Sequence, residues 1–470
     1  MYFLIQGGEC MSASDRFAEY MNYLAEGLGH ADRRAGLESY CTGLMLPLSR
    51  KSVEPMAARV DPLHASARHQ SLHHFVSKSD WSDTALLSRV RDWVQPLLEA
   101  PSGRYWIIDD TGFPKKGKHS VGVARQYCGQ LGKQDNCQVA VSLSLATEQG
   151  SLPIAYQLYL PKEWADDATR RQKAGVPDDI VFATKPEIAL AQVREAIAAG
   201  VPAGVVLADA AYGDETGFRE NLTELGLLYA VGIRSTTTVW PPGVSPLPAK
   251  PASGPGRPPK LLRRAPGHEP VSVKTLAMAL PSSAYQVVTW REGINTALSS
   301  RFAAVRVRPA HRDYWRSTLR DEEWLLVEWP GGEAEPTKYF LSTAPADALI
   351  EQLVFVTKMR WRIERDYQDL KQELGLGHYE GRGWRGFHHH ATLSIAAYGF
   401  LMAERLAADK PVGNKKTSSN ARYLRFPRIT SPVAALRAQR HVTNSIPTLR
   451  HQLSYHLMRS LGLCPCCASG

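Results

Sequence analysis

The sequence of 470 residues predicts an α/β fold, with a mixed sheet preceded by a helical segment and interrupted by a β-rich insertion. Three observations lead there. "CQVAVSLSLAT" (137–147) alternates, placing Val139, Val141, Leu143 and Leu145 on one face of a strand. "RYWIIDD" (104–110) and "GVVLAD" (204–209) are short apolar runs that end in carboxylates, as buried strands do at a sheet's edge. Between them, "KPEIALAQVREAIAAG" (185–200) repeats its apolar residues at helical spacing and closes on Gly.

The remaining elements follow in chain order. Residues 1–100 are helical: "SDRFAEYMNYLAEGLG" and "DTALLSRVRDWVQPLLEA" carry apolar residues three to four apart. His, Arg and Lys punctuate "RHQSLHHFVSKSDW" between them, which suits a helical DNA-binding domain. Residues 101–240 form the first part of the α/β core, with further strands at "LPIAYQLYLP" (152–161) and "GLLYAVGIR" (226–234). Residues 241–342 are a linker and insertion. A Pro/Gly-rich basic stretch (241–268) is followed by the strand-like runs "YQVVTW", "RFAAVRVRPA", "EEWLLVEW" and "KYFLSTA". Residues 343–409 complete the core, with one helix over about 346–375 that contains "RWRIERDYQDLK" (360–371). Residues 410–470 are a basic tail.

Composition narrows the function classes. No apolar run reaches ~18 residues, so no membrane span is expected, and "MYFLIQGG" is too short for a signal peptide and lacks a basic start. The seven Cys are odd in number and scattered, which points to a reducing cytosol. No GxxxxGK[ST] loop is present to bind a nucleotide triphosphate. The net charge is +10, and from Lys410 onward there are ten Lys/Arg and no Asp or Glu. The preceding residues carry equal numbers of acids and bases, so the whole excess lies in the tail. A basic tail on a neutral body implies a polyanionic partner, nucleic acid first; a merely solubilising tail is the alternative.

Two strands ending in Asp and a helical Glu among cations form the candidate site. A single strand-end Asp is as readily a turn or helix cap, and Arg360 with Glu364 is equally a surface i,i+4 pair. Together, however, carboxylates from separate chain positions can hold two divalent cations, which prefer oxygen ligands. At about 100° per residue, with Thr357 at zero, Arg360 falls near about −60°, Glu364 near about −20° and Lys371 near about −40°. Asp366 and Glu373 point elsewhere, so the stripe selects Glu364. Other motifs carry less. Trp240 and Trp290 could stack on an unpaired base or sit in the core. Three consecutive His in "FHHHA" (387–391) cannot all face one ion on a helix. "CPCC" (464–467) supplies only half a zinc site.

Thr357, Arg360, Glu364 and Lys371 read T-x2-R-x3-E-x6-K. This resembles the Y-x2-R-x3-E-x6-K signature of bacterial insertion-sequence transposases of the DDE superfamily, with Thr where Tyr is usual. "IIDDTGFPKKGKHSVGVARQYCGQLGKQDNCQVAVSLSLA" resembles the block around that group's first Asp, and "VLADAAYGD" the block around its second. The resemblance covers roughly residues 100–400. It implies a ribonuclease H-like core whose catalytic and metal-binding residues are Asp110, Asp209 and Glu364. Asp110 is taken over Asp109 because it directly precedes Thr111, as in the family's D-T pattern. It further implies two Mg2+ (or Mn2+) ions, DNA contacts by Arg360 and Lys371, and a homodimer acting on terminal inverted repeats and target DNA. Cleavage and strand transfer would take place in the cytoplasm of a bacterium, at its nucleoid. Lys115 and Lys116, in a basic loop beside Asp110, are further candidate phosphate contacts, or simply a solvated loop. Two alternatives stand beside this: a catalytically inactive DNA-binding descendant, and a ribonuclease H-like nuclease without strand transfer.

Overall fold

The computed structural model describes residues 12–251, 254, 257–292, 297–408 and 444–462. Five helices open it: α1 (Ala13–Ala25), α2 (Arg33–Met45), α3 (Val53–Val60), α4 (Ala65–Ser77) and α5 (Asp83–Val94). Ser12 and Asp15 form a reciprocal capping box at the start of α1, and the Ser82 hydroxyl caps α5. Each supplies an acceptor for a backbone N–H that has no partner inside its helix.

The sheet begins with β1 (Tyr105–Pro114), β2 (Ala124–Cys128), β3 (Lys133–Ala146) and β4 (Ser151–Leu158). The short helices α6 (Lys162–Ala165) and α7 (Ala168–Ala174) lead to α8 (Lys185–Ala198), which Thr184 and Glu187 cap reciprocally. β5 (Val205–Ala208), α9 (Ala210–Gly213), α10 (Thr216–Glu224) and β6 (Tyr229–Ile233) follow. β3 runs antiparallel between β1 and β4, and β5 and β6 lie parallel to β1. The fold is therefore mixed α/β. β2, an added edge strand paired to β3, has no counterpart in the expected order; it has exposed alternate residues and no apolar run to mark it in the sequence.

The β-rich insertion extends the same sheet. β7 (Thr238–Trp240), β8 (Val271–Ser272), α11 (Val273–Ala279), β9 (Gln286–Glu292), β10 (Ala297–Pro309), β11 (Glu323–Trp329) and β12 (Lys338–Ser342) complete it. β12 pairs antiparallel with β6, so the order runs β2-β3-β1-β5-β6-β12-β11-β10-β7-β8.

The helix expected over 346–375 is two helices, α12 (Ile350–Lys358) and α13 (Trp361–Gln372), broken at Met359–Arg360. Thr357 turns its hydroxyl back to the Leu353 and Val354 carbonyls, a bond that loosens helices. The stripe computed for one helix thus holds for Glu364 and Lys371 but not for Thr357, which is buried.

α14 (Trp384–Ala408) is apolar on nearly every side because it is enclosed: α2, α4 and α5 pack on it from one direction and β4 from another. One continuous core includes Tyr20, Leu44 and Val90 of the helical segment, Phe400 of α14, and Trp106 and Ile108 of β1. The three histidines of α14 belong to this core. His388 donates to the Trp384 carbonyl and accepts from the Leu158 N–H. His390 accepts from the Tyr40 hydroxyl and donates to the Gly375 carbonyl, and His389 stacks on Trp81. Within the basic tail, α15 (Ile446–Ser460) buries Ile446, Leu453 and Leu457, and Arg450 reaches Glu373 at 2.8 Å. "CPCC" lies outside the described residues. No described helix is long and apolar enough to cross a membrane.

Candidate active site

The parallel pairing of β1 with β5 builds the site. Ile107 is level with Leu207, so two residues further on Asp109 stands level with Asp209, on neighbouring strands spaced ~4.8 Å apart. Side chains alternate along a strand, so Tyr105, Ile107 and Asp109 share one face of β1, and Trp106, Ile108 and Asp110 the other. α13 and the break that precedes it cover the first face: Met359, Ile363 and Tyr367 pack with Tyr105, Ile107, Leu207 and Ala230. The Tyr367 hydroxyl donates to the Asp109 carbonyl at 3.2 Å.

This packing brings Asp109, Asp209 and Glu364 around one guanidinium. Arg360 donates to Asp109 Oδ2 at 2.9 Å and to Glu364 Oε1 at 3.3 Å, and the charge of Asp209 also acts on it. The Asp109 side chain is only 16% exposed, whereas Glu364 is 63% exposed. Burial pushes the Asp109 carboxyl up to about 7; Arg360 pulls against this, and Asp209 and Asp110 add repulsion. Asp209 caps α9 through the Ala211 N–H at 2.8 Å. The close seat of α9 on β6 needs glycines: a Cβ on Gly213 would collide with the Gly232 carbonyl. A cleft of about 390 Å³ opens beside Asp209, Arg360 and Glu364, floored by Lys338–Phe340 of β12.

Asp110 faces the other way. Its Oδ2 pairs with Lys185 of α8 at 2.9 Å and accepts from the Tyr212 hydroxyl of α9 at 3.3 Å. The structure thus brings Asp209 and Glu364 together with Asp109, and turns Asp110 toward a brace behind the sheet. Strand alternation separates the two acids, but the sequence alone does not say which face the Glu-bearing helix covers.

The expected cationic contacts are partly committed. Lys371 donates to the Gly112 carbonyl at 2.8 Å and to Gln130 at 3.1 Å, so it ties α13 to β1 and to the β2–β3 turn. Burial lowers its ammonium to about 8. Lys115 donates to the Tyr379 carbonyl, while Lys116 is exposed. Trp240 is fully buried, its indole N–H on Asp313 at 2.6 Å, and Lys358 lies over the Trp290 ring at 4.2 Å.

Three carboxylates offer hard oxygen donors that suit Mg2+ or Mn2+ rather than softer ions. A buried Asp109 crowded by like charge is a group that a cation would relieve. As the side chains stand, with Arg360 between Asp109 and Glu364, no three His, Cys, Asp or Glu among the described residues converge tightly enough to enclose an ion.

Comparison with known proteins accords with this geometry. A probable transposase for the insertion sequence element IS701 of Microchaete diplosiphon is 36% identical over 196 residues, which span 41% of this chain and 47% of that relative. The chain therefore matches about half the length of that curated relative. Residues 23–297 match the family of DDE superfamily endonucleases, a stretch holding Asp109, Asp110 and Asp209 but ending before Glu364. A match over more than half of the chain places this protein in the DDE superfamily of endonucleases.

Proposed function

We propose that this protein is an insertion-sequence transposase that cuts DNA at the element's ends, with Asp109, Asp209 and Glu364 as its metal-binding acids. The carrying observation is the β1–β5 register, which sets Asp109 and Asp209 side by side on the face that α13 covers. Asp109 takes the place that the sequence resemblance gave to Asp110, because Asp110 is already engaged by Lys185 and Tyr212 on the opposite face. The run β4-β3-β1-β5-β6, antiparallel and then parallel, fits a ribonuclease H-like core.

Asp109, Asp209 and Glu364 would hold two Mg2+ or Mn2+ ions, which would supply Lewis-acid charge to a water nucleophile and to the leaving oxygen of the phosphodiester. The chain's own residues do the rest. Tyr367 holds the Asp109 backbone, and the Asp209 cap fixes the entry to α9. Arg360, now paired with Asp109 and Glu364, is the cation that would be free to hold a DNA phosphate once those acids were engaged by metal. Lys338 and Arg360 line the cleft along which the backbone of the substrate would approach, and the exposed Lys116 is a further candidate phosphate contact. Strand transfer into target DNA, by a homodimer that holds both ends, completes a cut-and-paste reading consistent with the named relative.

The test is divalent-dependent nicking and joining of end DNA by full-length protein. Glu364→Gln and Asp109→Asn should each abolish both steps while end binding persists. Asp110→Asn should retain measurable cleavage. Full cleavage by Glu364→Gln would overturn the assignment.

A further inference from the structure

Four of the large apolar side chains left exposed lie on two adjoining segments of the insertion. Tyr314 is 42% and Trp315 61% exposed, and Leu319 and Leu261 are exposed nearby in the chain. The segments touch: the Leu262 N–H donates to the Arg316 carbonyl at 2.8 Å, and Arg264 pairs with Asp313 and lies over the Tyr314 ring. They sit next to β7, separated from β5 by β6, β12, β11 and β10. At ~4.8 Å per strand this is on the order of 20–25 Å from the acidic site.

The turn that carries the two rings is rigidly held. Arg312 is the one non-glycine residue with positive φ (51°) among the described residues, a conformation that costs free energy unless the surroundings enforce it. Here it lays the guanidinium over the Trp315 ring at 4.8 Å. Asp313 anchors the next position, buried against Trp240 and Arg264. The fold thus fixes a turn whose two outward side chains are aromatic.

Cations outnumber the acids around it, although the exposed Glu215 acts on His311. Asp313 is spent on Trp240 and Arg264, and Glu220 on Arg316 and Arg320. Arg257 and Lys260 are exposed, Arg263 reaches only the Pro248 carbonyl, and Arg312 lies on an aromatic face. Exposed aromatics among cations provide two things at once: faces for bases and charges for phosphates. A paired duplex hides its base faces, so the aromatic half of the surface is used only by an unpaired strand.

We propose that the turn 311–316, with the adjoining segment 257–264, binds single-stranded DNA by stacking bases on Trp315 and Tyr314 and holding phosphates with Arg257, Lys260, Arg263 and Arg312. The choice of DNA over other nucleic acid rests on the function proposed above; the surface itself does not depend on the acidic site.

The experiment uses full-length protein in EDTA, so that cleavage plays no part. Fluorescence anisotropy would follow a labelled oligo-dT and a duplex of equal length. Tyr314→Ala/Trp315→Ala should weaken oligo-dT binding about tenfold or more and leave duplex binding within about twofold. Trp315→Phe should restore most of the loss. Arg312→Gln/Lys260→Gln should flatten the salt dependence for oligo-dT by close to one phosphate contact per charge removed. Unchanged oligo-dT affinity in the double alanine variant, with an unaltered thermal midpoint, would overturn the proposal. So would equal loss for both DNAs, or a shift in sedimentation showing that the rings join two copies of the chain. A catalytically dead Glu364→Gln protein should bind oligo-dT as wild type does, which separates this test from that of the acidic site.

Discussion

Replacing Asp109 with Asn should make the metal-free protein more stable at neutral pH and inactive. The carboxyl is pushed from 3.8 to about 7, chiefly by burial, so the folded state holds that proton more tightly than the unfolded chain. The sign follows by linkage: the charge costs nothing below about pH 4, its penalty grows as pH rises toward 7, and it is complete above. At ~1.4 kcal/mol per pH unit the ceiling is ~4 kcal/mol. Asn also leaves Arg360 with Glu364 as its remaining ion-pair partner, so a net gain of about 1–3 kcal/mol is expected. Thermal midpoints in EDTA should show the variant above wild type at pH 8 and level with it near pH 4. Adding Mn2+ should raise the wild-type midpoint by binding to the folded state alone, and should raise the variant's far less. A variant destabilised at pH 8 would refute the reasoning about burial. A variant that still cleaves DNA would refute the role of the residue.

Three further perturbations test other parts of the structure. Arg360→Ala removes the cation that spans Asp109 and Glu364; Mn2+ binding followed by electron paramagnetic resonance should tighten several-fold while DNA cleavage falls. His390 is lowered from 6.5 to about 4 by burial, so it favours folding above pH 6.5 and that contribution, up to ~3 kcal/mol, is lost as pH falls toward 4; urea titrations at pH 7 and 4.5 should show the loss, and His390→Gln should reduce the difference. Arg450→Ala breaks the ion pair with Glu373 and the 3.1 Å contact to the Met45 carbonyl; with both side chains largely covered, a cost of about 1–3 kcal/mol in unfolding free energy is expected.

Much of this molecule can be read from its residues, and the failures have physical causes. The alternation at 137–147 and the apolar runs ending at Asp110 and Asp209 mark β3, β1 and β5, because strands buried in a sheet admit little else. Glu364 stands out from Asp366 and Glu373 because helical geometry separates them: Asp366 is buried against Ser151 and Tyr398, and Glu373 takes Arg450. Choosing between Asp109 and Asp110 needs tertiary information, since adjacent strand residues differ only in which layer covers them. The break between α12 and α13 escaped because no Pro or Gly marks it. The basic tail illustrates a different limit. Net charge drew attention to its cations, yet α15 sits against the core through Ile446, Leu453 and Leu457, residues seven and four apart on one helix face, a pattern that the charge count obscured.

Under the proposed function, the two neighbouring acids of β1 have different roles. Asp209 can face a cation only if α9 starts where it does, and α9 is held at three points: Gly213 against β6, the Asp209 cap, and Tyr212 on Asp110. Lys185 fixes the same carboxylate from α8, so Asp110 pulls two helices onto the back of the strand whose front presents Asp109. An isosteric Asn at position 110 keeps a hydrogen-bond acceptor for Tyr212 but loses the charge that holds Lys185. Its effect should therefore fall on how well Asp209 is placed rather than on whether an ion can bind. Consecutive acids midway along β1 point, by alternation alone, to opposite faces of the sheet: Asp109 toward Arg360, and Asp110 toward Lys185 and Tyr212.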